Sequence, residues 1–347
     1  MTQSAVETMG PLKLTAGIEK WPLKTPFRIT GYTMEAVELL VVTVEKDGYV
    51  GKGESCGVYY KNDRPQGMLE SVESLRARIE AGVILDSLQQ LLPPGGARNA
   101  LDCALWDLEA ALTGRPAWQK AGLDKPRPLM TTFTCGAEDP ERMAQTALGY
   151  KDARAIKLKL TGEPVDKDRV SAVRDALPRV WLGVDANQGF SRSSLERLLP
   201  TLVASRVKLI EQPFPIGQEA LLDGFQSPIP VAADESVQGV ADVAQLAGRF
   251  NVVNIKLDKC GGLTEGLSMI RAARDYGMET MVGNMLGTSL SMAPAFLLGQ
   301  LCNVVDLDGP VLLGSDRPLK AEYVDGYIAC PDALWGGGMQ SRGGGLP

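Results

Sequence analysis

Residues 155–162 read AIKLKLTG, a strand-like stretch that carries Lys157 and Lys159 among aliphatic residues. Side chains alternate between the two faces of a strand, so both lysines share one face and the aliphatic side chains share the other. Taken alone, such a stretch is most often an edge strand with solvated lysines, because lysine is seldom buried. The rest of the chain has to decide whether this lysine face meets water or a functional site.

From about residue 130 onward, short strand-like segments alternate with amphipathic helical segments. The eight strand candidates begin about 22 to 27 residues apart, at 130–136, 155–162, 180–189, 207–213, 230–236, 252–259, 279–285 and 304–310. Eight strand and helix units at this spacing indicate an α/β protein with a parallel β/α barrel, that is, a modified TIM barrel. An open doubly wound sheet fits less well, and no G-x-G-x-x-G follows an early strand to favour dinucleotide binding.

The first 128 residues have a different pattern, which predicts an α+β N-terminal domain. Residues 11–55 read as a three-stranded antiparallel meander with a hairpin at Asp47-Gly48. Residues 97–114 have helical spacing and end at Gly114. We expect the α+β domain over residues 1–128, the barrel over 129–314 and a C-terminal segment with a short hairpin over 315–347.

The composition is that of a globular protein, with 44% hydrophobic and 22% charged residues among 347. A net charge of −6 with scattered basic residues provides no basic surface for nucleic acid or an anionic membrane. The N-terminus lacks the order of a signal peptide, and six widely spaced cysteines suit reduced thiols, so we expect a cytoplasmic protein. The chain has no histidine, so catalysis would have to use carboxylates, lysines, tyrosines or a hard metal ion.

Polar residues collect at the C-terminal ends of the predicted strands, where barrel enzymes have their active sites. Asp185, Glu211 and Asp234 follow three consecutive strands, so their carboxylates should converge. Each one alone could be a helix N-cap, but three in register would repel one another unless a cation lay between them. Hard oxygen ligands suit Mg²⁺ better than zinc, so this pattern predicts a Mg²⁺ site.

The sixth predicted strand carries Lys256, Asp258 and Lys259, and it lies opposite the second strand in an eight-stranded barrel. Lys159 and Lys256 are therefore expected to face one substrate from opposite walls. This arrangement suits a 1,1-proton transfer, in which one lysine removes a proton from one face of a carbon and the other returns it to the opposite face. The carbanion would be held as a metal-bound enolate, and Lys157 would add positive charge beside it.

These motifs resemble the enolase superfamily and, within it, the dipeptide epimerases of the muconate-lactonizing-type subgroup, the L-Ala-D/L-Glu epimerase-like enzymes among them. The likeness covers nearly the whole chain and implies that residues 1–128 form a capping domain to which the C-terminal segment returns. It implies epimerisation at the α-carbon of the C-terminal residue of a dipeptide. The matching positions are the acid/base pair Lys159 and Lys256, their electrostatic helper Lys157, and the Mg²⁺ ligands Asp185, Glu211 and Asp234.

The resemblance also implies substrate contacts. The stretch D-L-D matches the D-x-D motif of dipeptide epimerases, so Asp306 and Asp308, expected on one strand face, would hold the substrate's α-ammonium group. Thr134, Arg28 and Tyr59 are further expected substrate-binding residues. Arg28 follows the Pro-Phe pair directly, whereas Ala-Glu enzymes usually carry their arginine a few positions later, and the tyrosine-rich loop around Tyr59 could equally lie on the surface.

Other functions remain open at this point. Three other enzymes of the same subgroup use the same lysines and metal: an N-acylamino acid racemase, an o-succinylbenzoate synthase-type enzyme and a cycloisomerase. Their substrates, however, have no free α-ammonium group for the D-x-D motif to bind. A barrel that only binds or assembles has no need of two buried lysines. We expect an isomerase that acts on a small dipeptide, has no nucleic-acid or membrane partner, and forms a homo-oligomer.

Overall fold

The structure, a computed structural model, describes residues 9–29 and 32–338. It begins with an antiparallel sheet in the order β1-β2-β3, formed by Lys13–Ile29 (β1), Tyr32–Lys46 (β2) and Tyr49–Ser55 (β3). Asp47 and Gly48 join β2 to β3 with φ angles of 52° and 81°, the left-handed backbone that a two-residue hairpin turn requires. The predicted meander and its hairpin are confirmed.

Helices pack on this first sheet. After a 3-10 turn at Tyr59–Lys61, they are Pro65–Ser74 (α1), Arg76–Glu80 (α2), Leu85–Leu91 (α3), Gly96–Thr113 (α4) and Ala117–Lys120 (α5). Helix α4 lies directly on the backbone of β3 because Gly51 presents no side chain to it. A Cβ atom at Gly51 would be 2.1 Å from the carbonyl oxygen of Ala104, so any side chain there would push α4 away. The helix ends at Gly114 with φ 64°, as predicted.

Eight parallel strands of the described chain then form a sheet that is nearly closed as a barrel, which confirms the predicted fold. A short strand, Leu129–Met130 (β4), precedes them and lies outside the barrel. The barrel strands are Thr132–Cys135 (β5), Ala155–Lys159 (β6), Trp181–Asp185 (β7), Leu209–Glu211 (β8), Val231–Ala233 (β9), Val252–Ile255 (β10), Glu279–Gly283 (β11) and Val304–Asp306 (β12). Each strand pairs with the next one along the chain, so their C-terminal ends meet at one end of the barrel.

Helices connect the strands on the outside of the barrel. They are Pro140–Gly149 (α6), Asp166–Ala176 (α7), Arg192–Ala204 (α8), Val240–Leu246 (α9), Leu257–Cys260 (α10), Leu263–Asp275 (α11), Ser289–Gly299 (α12) and Gly309–Leu312 (α13), with a 3-10 turn at Glu219–Leu222. The sixth strand was predicted to reach residue 259, and this prediction is wrong. Strand β10 ends at Ile255, and Asp258 and Lys259 lie in the short helix α10, which Gly261 ends with a left-handed φ of 84°.

The N-terminal elements lie against the end of the barrel where the strands finish. Asp258 at the start of α10 accepts hydrogen bonds from Ser55 Oγ at 2.5 Å and from the backbone N–H of Cys56 at 3.1 Å. Arg98 of α4 donates a hydrogen bond to the carbonyl oxygen of Cys260 at 2.5 Å. These contacts connect the N-terminal sheet and α4 to the element that follows β10.

The C-terminal segment forms a small sheet from Glu322–Val324 (β13), Tyr327–Ala329 (β14) and β4. Beyond it, Trp335 Nε1 donates hydrogen bonds of 3.1 Å to the carbonyl oxygens of Lys52 and Cys103, so the segment reaches β3 and α4. The limits proposed for the three domains stay a prediction. Among the described helices, none has the length and apolar character needed to cross a membrane.

Candidate active site

A cavity of about 780 Å³ opens at the C-terminal ends of the barrel strands. Its lining combines strand-end residues with residues of the N-terminal sheet and of the turn at Tyr59–Lys61. The predicted site residues that border it are Thr134, Lys157, Lys159, Asp234, Lys256, Asp306, Asp308 and Tyr59. Asp185 and Glu211 have no solvent exposure. The structure therefore gathers the predicted catalytic and metal-binding residues in one region.

Strand register brings the three predicted metal ligands together. Asp185 on β7 is the direct partner of Glu211 on β8, and Asp234 follows the next strand, β9. One carboxylate oxygen of each residue lies within 4.8 Å of the other two. Burial, and then the charge of Asp185, raise the pKa of Glu211 to about 8. Burial also acts to raise the pKa of Asp234, but Lys256 and Lys259 outweigh it and hold that pKa below its usual value.

Unpaired buried oxygens around the triad fit a hydrated cation. In the described chain, Asn187 Oδ1, Glu235 Oε2 and Asn254 Oδ1 have no hydrogen-bond partner. Asn254 donates a hydrogen bond of 2.8 Å to Glu211 of the triad. Asn187 donates one of 3.2 Å to Glu235, which follows the triad residue Asp234 in the sequence. Buried oxygens without partners are costly in a folded protein, and a metal ion or its water ligands would satisfy them.

The charge of the region also fits a divalent cation. Buried carboxylates at the site outnumber buried lysines by two. The carboxylates are those of Asp185, Glu211, Asp234, Glu235, Asp306 and Asp308, and the lysines are Lys157, Lys159, Lys256 and Lys259. Burial, and then the charge of Asp234, raise the pKa of Glu235 to about 7, as expected where negative charge is in excess. A divalent cation would balance this excess, and a donor set made only of oxygen atoms favours Mg²⁺.

The two predicted acid/base lysines approach the triad from opposite walls. Strands β6 and β10 are separated by three strands on either side of the eight-stranded sheet. Lys159 Nζ lies 2.6 Å from Asp185 Oδ2, and Lys256 Nζ lies 2.7 Å from Asp234 Oδ2. Both lysines border the cavity while being largely buried. A substrate carbon in this cavity would therefore have one ammonium or amine group on each side.

Lys157 is surrounded by carboxylates. Its Nζ atom donates a hydrogen bond to Asp306 and lies 3.4 Å from Glu211 Oε2 and 3.6 Å from Asp185 Oδ2. Burial alone would lower the pKa of Lys157, but these three carboxylates raise it well above its usual value. Lys157 therefore places positive charge directly beside the triad.

The two aspartates of the D-x-D motif have different surroundings. Asp306 accepts hydrogen bonds from Thr132 Oγ1 and from Lys157. Asp308 accepts one from the backbone N–H of Thr134 at 2.6 Å, and burial, followed by the charge of Asp306, raises the pKa of Asp308 to about 6. The expectation that both lie on one strand face is wrong, because β12 ends at Asp306 and Asp308 has a non-extended backbone (φ −101°, ψ 5°).

Tyrosines from the N-terminal part cover the triad side of the cavity. The rings of Tyr59 and Tyr60 meet edge to face with centroids 5.2 Å apart, and Gln238 Nε2 donates a hydrogen bond to the Tyr60 hydroxyl at 3.1 Å. Burial, and then the charge of Glu235, raise the pKa of Tyr59, so its hydroxyl stays protonated at neutral pH. The side chain of Arg28 lies outside the described residues.

Four residues at the site had no role assigned from the sequence: Thr132, Glu235, Asn254 and Lys259. Asn254 on β10 precedes Lys256 by two positions, a spacing that repeats that of Lys157 and Lys159 and could have identified it. Lys259 is 2% exposed and lies 2.6 Å from Asp234 Oδ1. No local spacing signals the contact of Thr132 with Asp306, because 174 positions separate them.

Comparison with known proteins agrees with this geometry. The family model described as mandelate racemase / muconate lactonizing enzyme, N-terminal domain, matches residues 13–122, and the enolase C-terminal domain-like model matches residues 141–341. The chain belongs to the enolase superfamily, in the mandelate racemase and muconate lactonizing enzyme family.

Particular relatives are epimerases and racemases. The chain is 36% identical over 312 residues to L-Ala-D/L-Glu epimerase of Escherichia coli (strain K12), covering 89% of this chain and 97% of that one. It is 40% identical over 262 residues to N-acetyl-D-glutamate racemase of Pseudoalteromonas sp, covering 74% of this chain and 82% of that one.

Solved structures of similar proteins contain dipeptides. An enolase family member from Agrobacterium tumefaciens with homology to dipeptide epimerases, with sodium and L-Ala-L-Glu bound, matches with a TM-score of 0.91 and 38% identity over 94% of this chain and 100% of that one. A dipeptide epimerase from Methylococcus capsulatus, complexed with Mg and L-Arg-D-Lys, matches with a TM-score of 0.84 and 29% identity over 93% and 98% of the two chains.

Proposed function

We propose that this protein is a Mg²⁺-dependent dipeptide epimerase that inverts the α-carbon of the C-terminal residue by a two-base 1,1-proton transfer. The observation that carries the proposal is the pair Lys159 and Lys256, which border one cavity from opposite walls, each beside a different carboxylate of one buried acidic triad. The names and bound dipeptides of the similar proteins support the substrate class.

In the proposed mechanism, Asp185, Glu211 and Asp234 hold Mg²⁺. When bound, Mg²⁺ would supply positive charge for the substrate's carboxylate, which favours loss of the α-proton. One lysine, as the neutral amine, takes the α-proton from one face, and the other, as the ammonium, returns a proton to the opposite face. Lys157 contributes a fixed positive charge that stabilises the negative charge developing on the substrate. Epimerisation in the reverse direction exchanges the roles of Lys159 and Lys256.

Recognition of the free N-terminus is proposed for Asp308. Its carboxylate borders the cavity, and in the described chain no lysine or arginine lies within 4.0 Å of it. A buried carboxylate without a cation is unfavourable, and the α-ammonium group of a dipeptide would supply the missing charge. Asp306, which also borders the cavity, is proposed to contact the α-ammonium group as well, and Thr134, Tyr59 and Arg28 are proposed to contact the rest of the dipeptide.

A racemase acting on N-acylated amino acids is the second candidate, because one relative at 40% identity is an N-acetyl-D-glutamate racemase. Such a substrate could use the same lysines and metal ligands. It has no α-ammonium group, however, and it would leave the Asp308 carboxylate without a cationic partner. The contact made by Asp308 therefore distinguishes the two candidates.

The test is a mixed library of dipeptides and N-acyl amino acids incubated with the enzyme and Mg²⁺ in D₂O. We expect deuterium uptake at one α-carbon of dipeptides, measured by mass spectrometry, together with the appearance of the second epimer on a chiral column. The Lys159→Ala, Lys256→Ala double variant is the matched control and should give neither signal. Uptake confined to N-acyl amino acids would refute the dipeptide assignment.

We also propose a cytoplasmic homo-oligomer. All six cysteines are free thiols, which suits a reducing compartment. Several apolar side chains of the described chain are more than half exposed, Leu148, Leu319 and Val324 among them, and a subunit interface would cover such groups. Light scattering coupled to size-exclusion chromatography tests the assembly, and a monomeric mass would contradict it.

A further inference from the structure

The two acid/base lysines are held in place by different parts of the molecule. Lys159 lies within a strand ladder, where it is the register partner of Asp185 on β7. Lys256 follows the last residue of β10, and no strand ladder of the described chain includes it. Its backbone carbonyl accepts hydrogen bonds from the backbone N–H groups of Lys259 at 3.0 Å and of Cys260 at 3.1 Å, both in α10. Barrel pairing therefore fixes the backbone of Lys159, whereas α10 fixes that of Lys256.

Helix α10 is in turn held by the N-terminal part of the chain. All four of its residues are buried. Oδ1 of Asp258 accepts hydrogen bonds from Ser55 Oγ, at the end of β3, and from the backbone N–H of Cys56. Arg98 of α4 donates a hydrogen bond to the carbonyl oxygen of Cys260. The position of α10 therefore depends on β3 and α4 as well as on the barrel.

We propose that Asp258 is a positioning residue for Lys256: by binding the end of β3, it fixes α10 and thereby sets where Lys256 stands in the cavity. This inference rests on the proposed function, in which Lys256 exchanges a proton with one face of the substrate. Cys56 itself borders the cavity, so the strand end that anchors α10 also lies beside the substrate. Only one of the two bases depends on this contact, because barrel pairing holds Lys159.

Exchange of the substrate's α-proton in D₂O, measured by NMR on each pure epimer, reports on the two lysines separately. The epimer whose exchange is lost in Lys256→Ala is the one that Lys256 deprotonates. For Asp258→Ala, we expect exchange of that epimer to fall about tenfold to a hundredfold relative to exchange of the other epimer, because a displacement of about 1 Å has effects of this size. A general loss of stability would lower both exchange rates together and leave their ratio unchanged.

Two further variants grade the effect. Ser55→Ala should shift the ratio of exchange rates in the same direction but less, because the Cys56 N–H still binds Asp258. It provides the same test if Asp258→Ala does not fold. Asp258→Asn should keep a ratio near that of the wild type, because an amide oxygen can accept the same two hydrogen bonds.

Asp102→Ala is the matched control. Asp102 is a buried carboxylate of α4 that accepts a hydrogen bond of 3.1 Å from the backbone N–H of Thr264, in α11 and beyond the helix that holds Lys256. This variant should lower thermal stability and leave the ratio of exchange rates unchanged. A wild-type ratio in both Asp258→Ala and Ser55→Ala would overturn the proposal. Wild-type enzyme that exchanges no α-proton of any dipeptide would refute the proposed function instead, so the two failures are distinguishable.

Discussion

Lys259 Nζ lies 2.6 Å from Oδ1 of Asp234, and both residues are 2% exposed. Lys259 also donates hydrogen bonds to the carbonyl oxygens of Asp234 at 2.5 Å and of Asn254 at 3.1 Å, so its three donor hydrogens are all used. Lys256, three positions earlier, borders the cavity and contacts the other oxygen of the same carboxylate. One carboxylate therefore has a fixed lysine on one oxygen and a cavity-facing lysine on the other.

Replacing Lys259 should destabilise the protein. Lys259→Met removes one partner of a buried ion pair together with two hydrogen bonds to carbonyl oxygens, so we expect the free energy of unfolding to fall by about 3 to 5 kcal/mol. Urea unfolding in the presence of a chelator measures it. Lys208→Met, at an exposed position, is the matched control and should change little. A loss at Lys259 no larger than that at Lys208 would show that the buried contact contributes nothing.

Removing a ligand of the acidic triad should weaken metal binding. For Asp234→Asn or Glu211→Gln, we expect the Mg²⁺ dissociation constant measured by calorimetry to rise by more than about a hundredfold. Replacing a residue that only hydrogen-bonds to a metal ligand already lowers metal affinity about tenfold to a hundredfold. Circular dichroism should show a retained fold. Asp258→Asn is the control, because Asp258 is also a buried carboxylate but accepts hydrogen bonds from Ser55 and Cys56 instead. Unchanged Mg²⁺ affinity in the triad variants would refute the metal site.

The two acid/base lysines should each serve one face of the substrate. Lys159→Ala and Lys256→Ala are both expected to lose epimerisation, since each removes one of the two bases. Each variant should retain exchange of the α-proton with solvent for only one epimer, and the two variants should prefer opposite epimers. NMR in D₂O with each pure epimer measures this exchange. Retention of near wild-type epimerisation in either variant would exclude the two-base mechanism.

The eight strands could be predicted from the sequence because each contains β-branched residues and they recur at a regular period, and most of them end in polar residues. The same regularity located Lys159, Asp185 and Glu211, since parallel register aligns strand ends. The contacts of Asp306 with Thr132 and Lys157 could not be predicted, because they depend on how the first and last strands meet. The contact of Lys259 with Asp234 could not be predicted either. It forms because the chain turns into helix α10 after β10, whereas the predicted longer strand would have directed the Lys259 side chain differently.

Space for Lys256 depends on Gly283 at the end of β11. A Cβ atom at Gly283 would lie 2.8 Å from Lys256 Cε and 2.7 Å from Asn254 Oδ1, closer than such atoms approach in folded proteins. We expect Gly283→Ala to displace the lysine and to lower kcat about a hundredfold. Gly149→Ala is the control, because a Cβ atom there meets nothing within 4 Å. Wild-type kcat in Gly283→Ala would mean that Lys256 tolerates the shift.

The pH dependence of specificity should report the state of Asp308. Burial, and then the charge of Asp306, raise the pKa of Asp308 to about 6. Above that pH the group is a carboxylate that can pair with the substrate's α-ammonium group, and below it the group is neutral. We therefore expect the preference for a free dipeptide over its N-acetyl derivative, taken as the ratio of kcat/KM values, to be full at pH 7 to 8 and to decline below about pH 6.

The ratio is the useful quantity because protonation of the lysines and of the metal ligands affects both substrates and largely cancels. A charge-assisted hydrogen bond is worth about 1.5 to 3 kcal/mol, so the ratio at neutral pH should be roughly ten to a hundred. Asp308→Asn should reduce it toward unity at every pH, since a neutral amide mimics the protonated acid. A ratio that favours the N-acetyl substrate would contradict the Asp308 assignment and support the racemase candidate.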